Sequence, residues 1–342
     1  MSEFIYSEFK SVAGYVPDEI LTNHDLSDRM DTSDEWIVER SGIKQRHIVK
    51  DGESTSSLGA KAAVKALSKA GLEASELDLI IAATLSPDYY FPGIGVLIQS
   101  QIGASCPAID VRGQCSGFSW ALSTADAFMG SRNYKNVLIV GAEIHSRMLE
   151  FSNRGRNTAV LFGDGAGAAV LQAKSSTSKP ATHNLLPGVI DNIMGSDGEG
   201  AGYLGVFRPG HAGEKEFLTP QECEDKVWIP HMDGKHVFKN AVSRMTEVAN
   251  KIMKRNKISA KDIDLLIPHQ ANIRINNLVA KNLGLSSSQV FNNICEVGNT
   301  TSASIPLCMQ GAEEAGVLTR GKLVITLAFG AGFTWGANLF RW

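Results

Sequence analysis

The chain has 342 residues and a formal net charge of −3, from 33 basic and 36 acidic side chains. That length holds one large domain or two of ordinary size, and the slightly acidic balance argues against general nucleic-acid binding, which needs a basic surface. No apolar run approaches the roughly 20 residues of a membrane span, and the five cysteines, without metal-like spacing, do not make a disulfide framework. The opening MSEFIYSEFK lacks a secretory pattern, so a cytoplasmic, reduced protein without a metal site is expected.

Along the chain, SSLGAKAAVKALSKAGLEASELDLIIAAT (Ser56 to Thr84) reads as a helix, a short loop and a buried strand. CPAIDV (Cys106 to Val111) predicts a short buried strand, and FSWALSTADAFMG (Phe118 to Gly130) a helix. Cys115 falls between them, followed by the small Ser116 and Gly117. A first helical turn has free N–H groups and favours negative charge. A thiol there is expected to have a lowered pKa and to act as a nucleophile; the alternative is a buried packing cysteine. NVLIVGAE (Asn136 to Glu143) and GDGAGAAVL (Gly163 to Leu171) follow as apolar strands.

Residues 196–231 are rich in Gly, Pro and charge and read as a long loop insertion. Then the plan returns. NAVSRMTEVANKIMKRNKISAKDIDLLIPHQ (Asn240 to Gln270) repeats the helix, loop and strand, with Asp264-Leu265-Leu266-Ile267 matching Asp78-Leu79-Ile80-Ile81. KLVITLAFG and GFTWGANLF near the C-terminus match NVLIVGAE and GDGAGAAVL. A match in fixed order marks a duplicated unit. Alternating helices and strands predict two α/β halves, 1–175 and 176–342, sharing a helix layer between two sheets.

In the second half, His269 follows a buried strand and Asn299 lies in a Gly-Asn-Thr-Thr-Ser loop that opens a helix. Strand ends gather at one edge of an α/β sheet, where sites form. These two residues stand either as partners of Cys115 or as an ordinary hydrogen-bonding histidine and a turn residue. The other seven histidines, His145 among them, read as surface or hydrogen-bonded residues. Cys106, Cys295 and Cys308 read as packing, and Cys223 as surface.

Together, DTSDEWIVERSGIKQRH, CSGF, VLFGDGAGAAVL, PHQANIRI, GNTTSASIP and AFGAGFTWG resemble β-ketoacyl-acyl carrier protein synthase III. This is the initiating condensing enzyme of bacterial fatty-acid synthesis, in the thiolase-like superfamily. The resemblance implies a duplicated five-layer α/β/α/β/α fold. It also implies a decarboxylating condensation of acyl-CoA with malonyl-acyl carrier protein, with no cofactor beyond these substrates. It makes Cys115 the acylated nucleophile and His269 with Asn299 the pair that binds the malonyl thioester carbonyl. The amides of Cys115 and Ala331 become the oxyanion donors, and Phe329 the apolar surface beside the departing carboxylate. Trp36, Arg40, Arg156, Gly234 and Asn272 become coenzyme A and pantetheine contacts, with Arg154 an alternative to Arg156. Lys239, Arg274 and Lys281 become a docking patch for an acidic carrier protein. The family's homodimer would place Phe91, at the tip of YYFPGIG, in the partner's acyl pocket. Gln114, in place of a common alanine, would narrow or polarise the wall near the thioester. Two other readings stay open: a related Cys-His-Asn enzyme of secondary metabolism using malonyl-CoA or another acceptor, and a non-catalytic binding subunit.

Overall fold

The computed structural model describes residues 3–131, 133–212 and 216–342. The first half opens with β1 (Phe4–Tyr15) and a small N-terminal unit. That unit comprises β2 (Glu19–Thr22), α1 (Asn23–Ser27), α2 (Asp34–Ser41) and β3 (Gln45–Ile48). Next come α3 (Thr55–Ala70), β4 (Leu79–Ala83), α4 (Ile94–Ile102), β5 (Ala108–Val111), α5 (Gly117–Gly130), β6 (Asn136–Glu143), α6 (Arg156–Ala159) and β7 (Gly165–Ser176). The remainder holds β8 (Gly188–Ser196), β9 (Leu204–Gly205), α7 (Pro220–Glu224), β10 (His231–Met232), α8 (Gly234–Arg255) and β11 (Leu265–Pro268). It ends with α9 (Ile273–Leu283), α10 (Ile294–Val297), α11 (Ser304–Glu314), β12 (Leu323–Gly330) and β13 (Thr334–Arg341).

Two sheets carry the fold, in the orders β1-β7-β6-β4-β5 and β11-β12-β13-β8. Their central strands are buried on both faces, so LIIAA, NVLIVGAE and LVITLAFG run apolar without alternation. Helices α3 and α4 cover the outer face of the first sheet, and α8 and α9 that of the second. Helices α5 and α11 lie between the sheets, in one core with Phe9, Ile139, Ile267 and Phe340. The result is the five-layer α/β/α/β/α arrangement.

Repetition extends to single hydrogen bonds. Asp78 Oδ2 accepts from Asn136 N–H at 2.8 Å, and Asp264 Oδ2 from Leu323 N–H at 2.7 Å. Each aspartate thereby ties the entry of one central strand to its parallel neighbour. The parallel pair β4–β5 returns as a single bridge between Leu266 and Val290. Aromatic packing joins the halves: the Phe9 ring of β1 lies 4.7 Å from Phe340 and 5.5 Å from Trp342. Such pairs add about 0.5–1.5 kcal/mol each beyond area burial.

Two expectations need correction. CPAIDV forms a strand but not a buried one: β5 is a sheet edge, and Ile109 and Asp110 are exposed in the single chain. Asp110 instead caps α4, accepting from Ile94 and Gly95 N–H at 2.8 and 2.7 Å. The 196–231 insertion is not merely a loop. It contains α7, a 3-10 turn (Gly198–Tyr203) and an antiparallel β9–β10 pair. An Arg208–Glu222 ion pair ties it together at 2.6 Å. Residues 213–215 of it lie outside the described residues.

Candidate active site

Cys115 sits in a 3-10 turn, Gln114–Ser116, that runs straight into α5. Gln114 has φ +46, in the left-handed region that costs a non-glycine residue energy, and such strain clusters at active sites. The loop after β12 closes over the sulfur. A Cβ added at Gly330 would lie 2.9 Å from both Cys115 N and Cβ, so only glycine admits this approach. Burial, and then the Glu143 carboxylate, push the Cys115 thiol up to about 12. The N–H groups of Cys115 and Ala331 pull the other way but do not prevail. The lowered pKa expected at a helix start is therefore not met. The first turn of α5 is enclosed rather than open to solvent, and desolvation disfavours the thiolate more than two amides favour it. At rest Cys115 is a thiol.

A second 3-10 turn, Thr301–Ala303, leads into α11 and abuts the first. A Cβ on Gly117 would meet Ser302 Cβ at 3.3 Å. His269 and Asn299 are both anchored to this second turn. His269 Nδ1 lies 2.6 Å from Ser304 Oγ, while Ser304 Oγ accepts a long bond from Gln270 N–H. With the serine proton given to Nδ1, Nε2 carries the ring's N–H. That Nε2 is buried without a partner. Burial holds the imidazole pKa down to about 3, so the ring is neutral. Asn299 Oδ1 accepts from Thr301 N–H at 2.9 Å. Its Nδ2 makes no hydrogen bond among the described residues. His269 Nε2 and Asn299 Nδ2 thus both lack protein partners among the described residues, and both residues are held by the turn that abuts that of Cys115. An anionic oxygen suits that arrangement.

The sequence reading overlooked several supports. Glu143, fully buried at the end of β6, accepts from Ser86 Oγ at 2.6 Å, Ser302 Oγ at 2.7 Å and Thr84 Oγ1 at 3.1 Å. Arg46 is equally buried and gives its guanidinium to the Leu21 and Val160 carbonyls and to Asn23 Oδ1. It fixes the segment beside Asn299, whose N–H bonds Leu161 O. A glutamate closing the apolar run VLIVGAE was the available signal; Arg46, between Gln45 and His47, gave none, and the partners of both lie far away in sequence.

The remaining predicted residues separate into groups. Phe329 is buried beside Phe333, with ring centroids 4.9 Å apart. The guanidinium carbons of Arg40 and Arg156 stand 4.6 and 5.1 Å from the Trp36 ring, a cation–π clamp. Arg154 is taken up by Glu150, so of the two candidate arginines Arg156 is the one at Trp36. Gly234 opens α8 with free space around it. Asn272 caps α9: its Oδ1 accepts from Arg274 N–H and its Nδ2 donates to Arg40 O, both at 2.9 Å. Lys239, Arg274 and Lys281 are exposed on α8 and α9. Phe91 is 80% exposed and does not enter its own subunit's site. Gln114 is half-buried. Cys223 is exposed, Cys106 and Cys308 are buried, and Cys295 is half-buried.

The duplicated five-layer architecture is that of thiolase-like condensing enzymes. The sequence profile of 3-oxoacyl-[acyl-carrier-protein (ACP)] synthase III matches residues 109–186, and the profile of its C-terminal part matches residues 253–342. The chain is 42% identical over 343 residues to a β-ketoacyl-[acyl-carrier-protein] synthase III of Xanthomonas campestris, covering 100% of each. It superposes on the crystal structure of the Aquifex aeolicus 3-oxoacyl-[acyl-carrier-protein] synthase III with a TM-score of 0.87. There the identity is 38%, over 98% of this chain and 100% of that one. A priming β-ketosynthase of a polyketide pathway matches with a TM-score of 0.87 and 29% identity, over 100% of this chain and 98% of that one. The chain belongs to the β-ketoacyl-[acyl-carrier-protein] synthase III family, an acyl-transferring condensing enzyme of fatty-acid synthesis.

Proposed function

We propose that the protein condenses an acyl-CoA primer with malonyl-acyl carrier protein, in the cytoplasm, through Cys115, His269 and Asn299. The observation that carries this division of labour is the buried, unpartnered Nε2 of a neutral His269. An imidazole whose pKa is about 3 is a poor base at neutral pH but a good N–H donor. In the first half-reaction Cys115 attacks the acyl-CoA carbonyl. The Cys115 and Ala331 amides hold the tetrahedral oxyanion, and the thiol proton leaves with coenzyme A as its free thiol. In the second, His269 Nε2–H and Asn299 Nδ2–H hold the malonyl thioester oxygen while carbon dioxide departs beside Phe329. The enolate carbon attacks the Cys115 thioester carbonyl, the C–S bond breaks, and the released thiolate takes a proton from solvent. Decarboxylation itself supplies the carbon nucleophile, so this scheme calls for no cofactor.

Around this core, Trp36 with Arg40 and Arg156 would receive the adenine and phosphates of coenzyme A, while Gly234 and Asn272 border the pantetheine arm. Lys239, Arg274 and Lys281 would dock the acidic carrier. Their exposure, and their absence from every ion pair among the described residues, support that role. Tyr89, Tyr90 and Phe91, exposed by 60, 65 and 80%, favour a homodimer in which Phe91 enters the partner's pocket. Tyr90 also packs edge-on against Phe217 of its own chain, at 5.8 Å.

The test is a panel of acyl-CoAs of different lengths, each combined with malonyl-acyl carrier protein or malonyl-CoA. Intact-mass detection reports the adduct on Cys115. The expected result is an acyl adduct, followed by turnover with the carrier-bound acceptor. Adducts with turnover on malonyl-CoA alone would move the protein to the secondary-metabolism reading that the polyketide relative represents. No adduct with any acyl-CoA would leave only the non-catalytic reading.

A further inference from the structure

His145 is a buried imidazole that the reaction as drawn does not use. It lies just beyond β6, and its ring centroid is 4.6 Å from that of Phe162. Its Nε2 lies 3.1 Å from Thr301 Oγ1. Burial lowers its pKa, against the opposing pull of Glu143 and Asp164, so the ring is neutral. A hydroxyl both gives and takes hydrogen bonds, so the contact with Thr301 holds in either tautomer.

Thr301 matters because of its backbone. Its φ is +44, a left-handed conformation that a β-branched residue adopts only where its surroundings impose it. In that conformation its N–H reaches Asn299 Oδ1 at 2.9 Å. On the other side, Phe162 pairs with Asn299 through an isolated parallel bridge. The His145 ring thus braces both flanks of Asn299, and no hydrogen bond joins it to Asn299 itself among the described residues.

We propose that His145 is a positioning residue for the decarboxylation half-reaction. By holding Thr301 in its left-handed turn and packing on Phe162, it aims the Asn299 carboxamide so that Nδ2 meets the malonyl carbonyl oxygen. The inference rests on the reading of Asn299 given above. It assigns His145 no contact with the thiol, so acylation of Cys115 does not depend on it.

Three variants test this. His145→Phe keeps an aromatic ring on Phe162 and removes the hydrogen bond. His145→Gln returns a polar group near the place of Nε2. Thr301→Val removes the hydroxyl and keeps the branched shape. Carbon dioxide release from malonyl-acyl carrier protein and the rate of Cys115 acylation by acyl-CoA are measured for each. His145→Phe and Thr301→Val are each expected to lower the kcat of decarboxylation about tenfold, the scale of a small misalignment. KM and acylation should stay within about twofold, since uniform binding is untouched. His145→Gln should recover most of the loss. The double variant should be no worse than the worse single one, because both act through one hydrogen bond. Equal falls in acylation and decarboxylation, unchanged decarboxylation, or additive losses in the double variant would each overturn the proposal. Asn299→Ala separates the two levels. If that variant decarboxylates normally, the assignment of Asn299 fails; if it does not, while His145→Phe does, only the role of His145 fails.

Discussion

The turn Gln114–Gly117 and the turn Thr301–Ser304 are the same device built twice. Each enters a central helix from a 3-10 turn, and each begins with a non-glycine residue in the left-handed region, at φ +46 and +44. Cys115 and Ser302 occupy the same place in the two turns. What differs is the strand end that faces each. Opposite Cys115 is Gly330, which leaves room for a sulfur and exposes an amide to it. Opposite Ser302 is Glu143, which fills the space with a carboxylate 2.7 Å from the hydroxyl. The first turn presents a buried thiol, and the second is a rigid mount for His269 and Asn299. Duplication supplied two equal pockets, and one small and one large residue at matching strand ends divided the work.

The sharpest way to break this comparison is to exchange the two side chains. Cys115→Ser is expected to abolish acyl transfer, since a serine hydroxyl stays protonated where a thiol can ionise. Adding Ser302→Cys should not restore it, because the new thiol would face a carboxylate instead of Gly330. Intact-mass spectra after incubation with acyl-CoA read the result, and an adduct at position 302 would show that the two turns remain interchangeable.

A smaller effect comes from Glu143→Gln. The substitution turns an acceptor of at least three side-chain hydroxyl bonds into a group that is half donor. Loss of charged hydrogen bonds of this kind costs about 1.5–3 kcal/mol each, less any rearrangement. Urea unfolding should show a lower midpoint. The Cys115 thiol should meanwhile alkylate faster with iodoacetamide, because the carboxylate that raises its pKa is gone. Unchanged alkylation would place the origin of the high thiol pKa in burial alone.

Gly330→Ala tests the other strand end. The added methyl must displace Cys115 or the loop, and overpacking of this sort costs about 1–3 kcal/mol. Acylation should fall more than decarboxylation, and comparing the two half-reactions checks it.

The mildest prediction concerns pH. His269 is held down to about 3 from an ordinary 6.5, and His145 is also lowered, both mainly by burial. Between those values the unfolded chain binds protons that the folded chain does not, so stability rises with pH there. It should be fully present above pH 6.5 and be lost on acidification, at about 1.4 kcal/mol per pH unit for His269, with His145 adding in the same direction. Denaturation midpoints between pH 4.5 and 7.5 measure the slope. Replacing His269 by Gln should reduce it.

By itself the sequence determined the duplication, a helix layer shared between two sheets, and the placement of Cys115 between a strand and a helix. Those follow from periodicity and from motifs repeated in order, which are local properties of the chain. It also brought out His269 and Asn299 as candidates, through strand-end position and family resemblance. Only the tertiary structure decided the protonation of the site. Whether Cys115 rests as a thiol depends on how completely the loop after Gly330 encloses it and on a carboxylate 28 residues downstream in the chain. The free Nε2 of His269 exists because Ser304, 35 residues away, takes the other ring nitrogen. The choice of Arg156 over Arg154 at Trp36 was settled by Glu150 binding the latter. His145 looked like any other histidine until the fold placed it between Phe162 and Thr301. Burial and long-range partners set these properties, and neither is a function of the neighbouring residues in the chain.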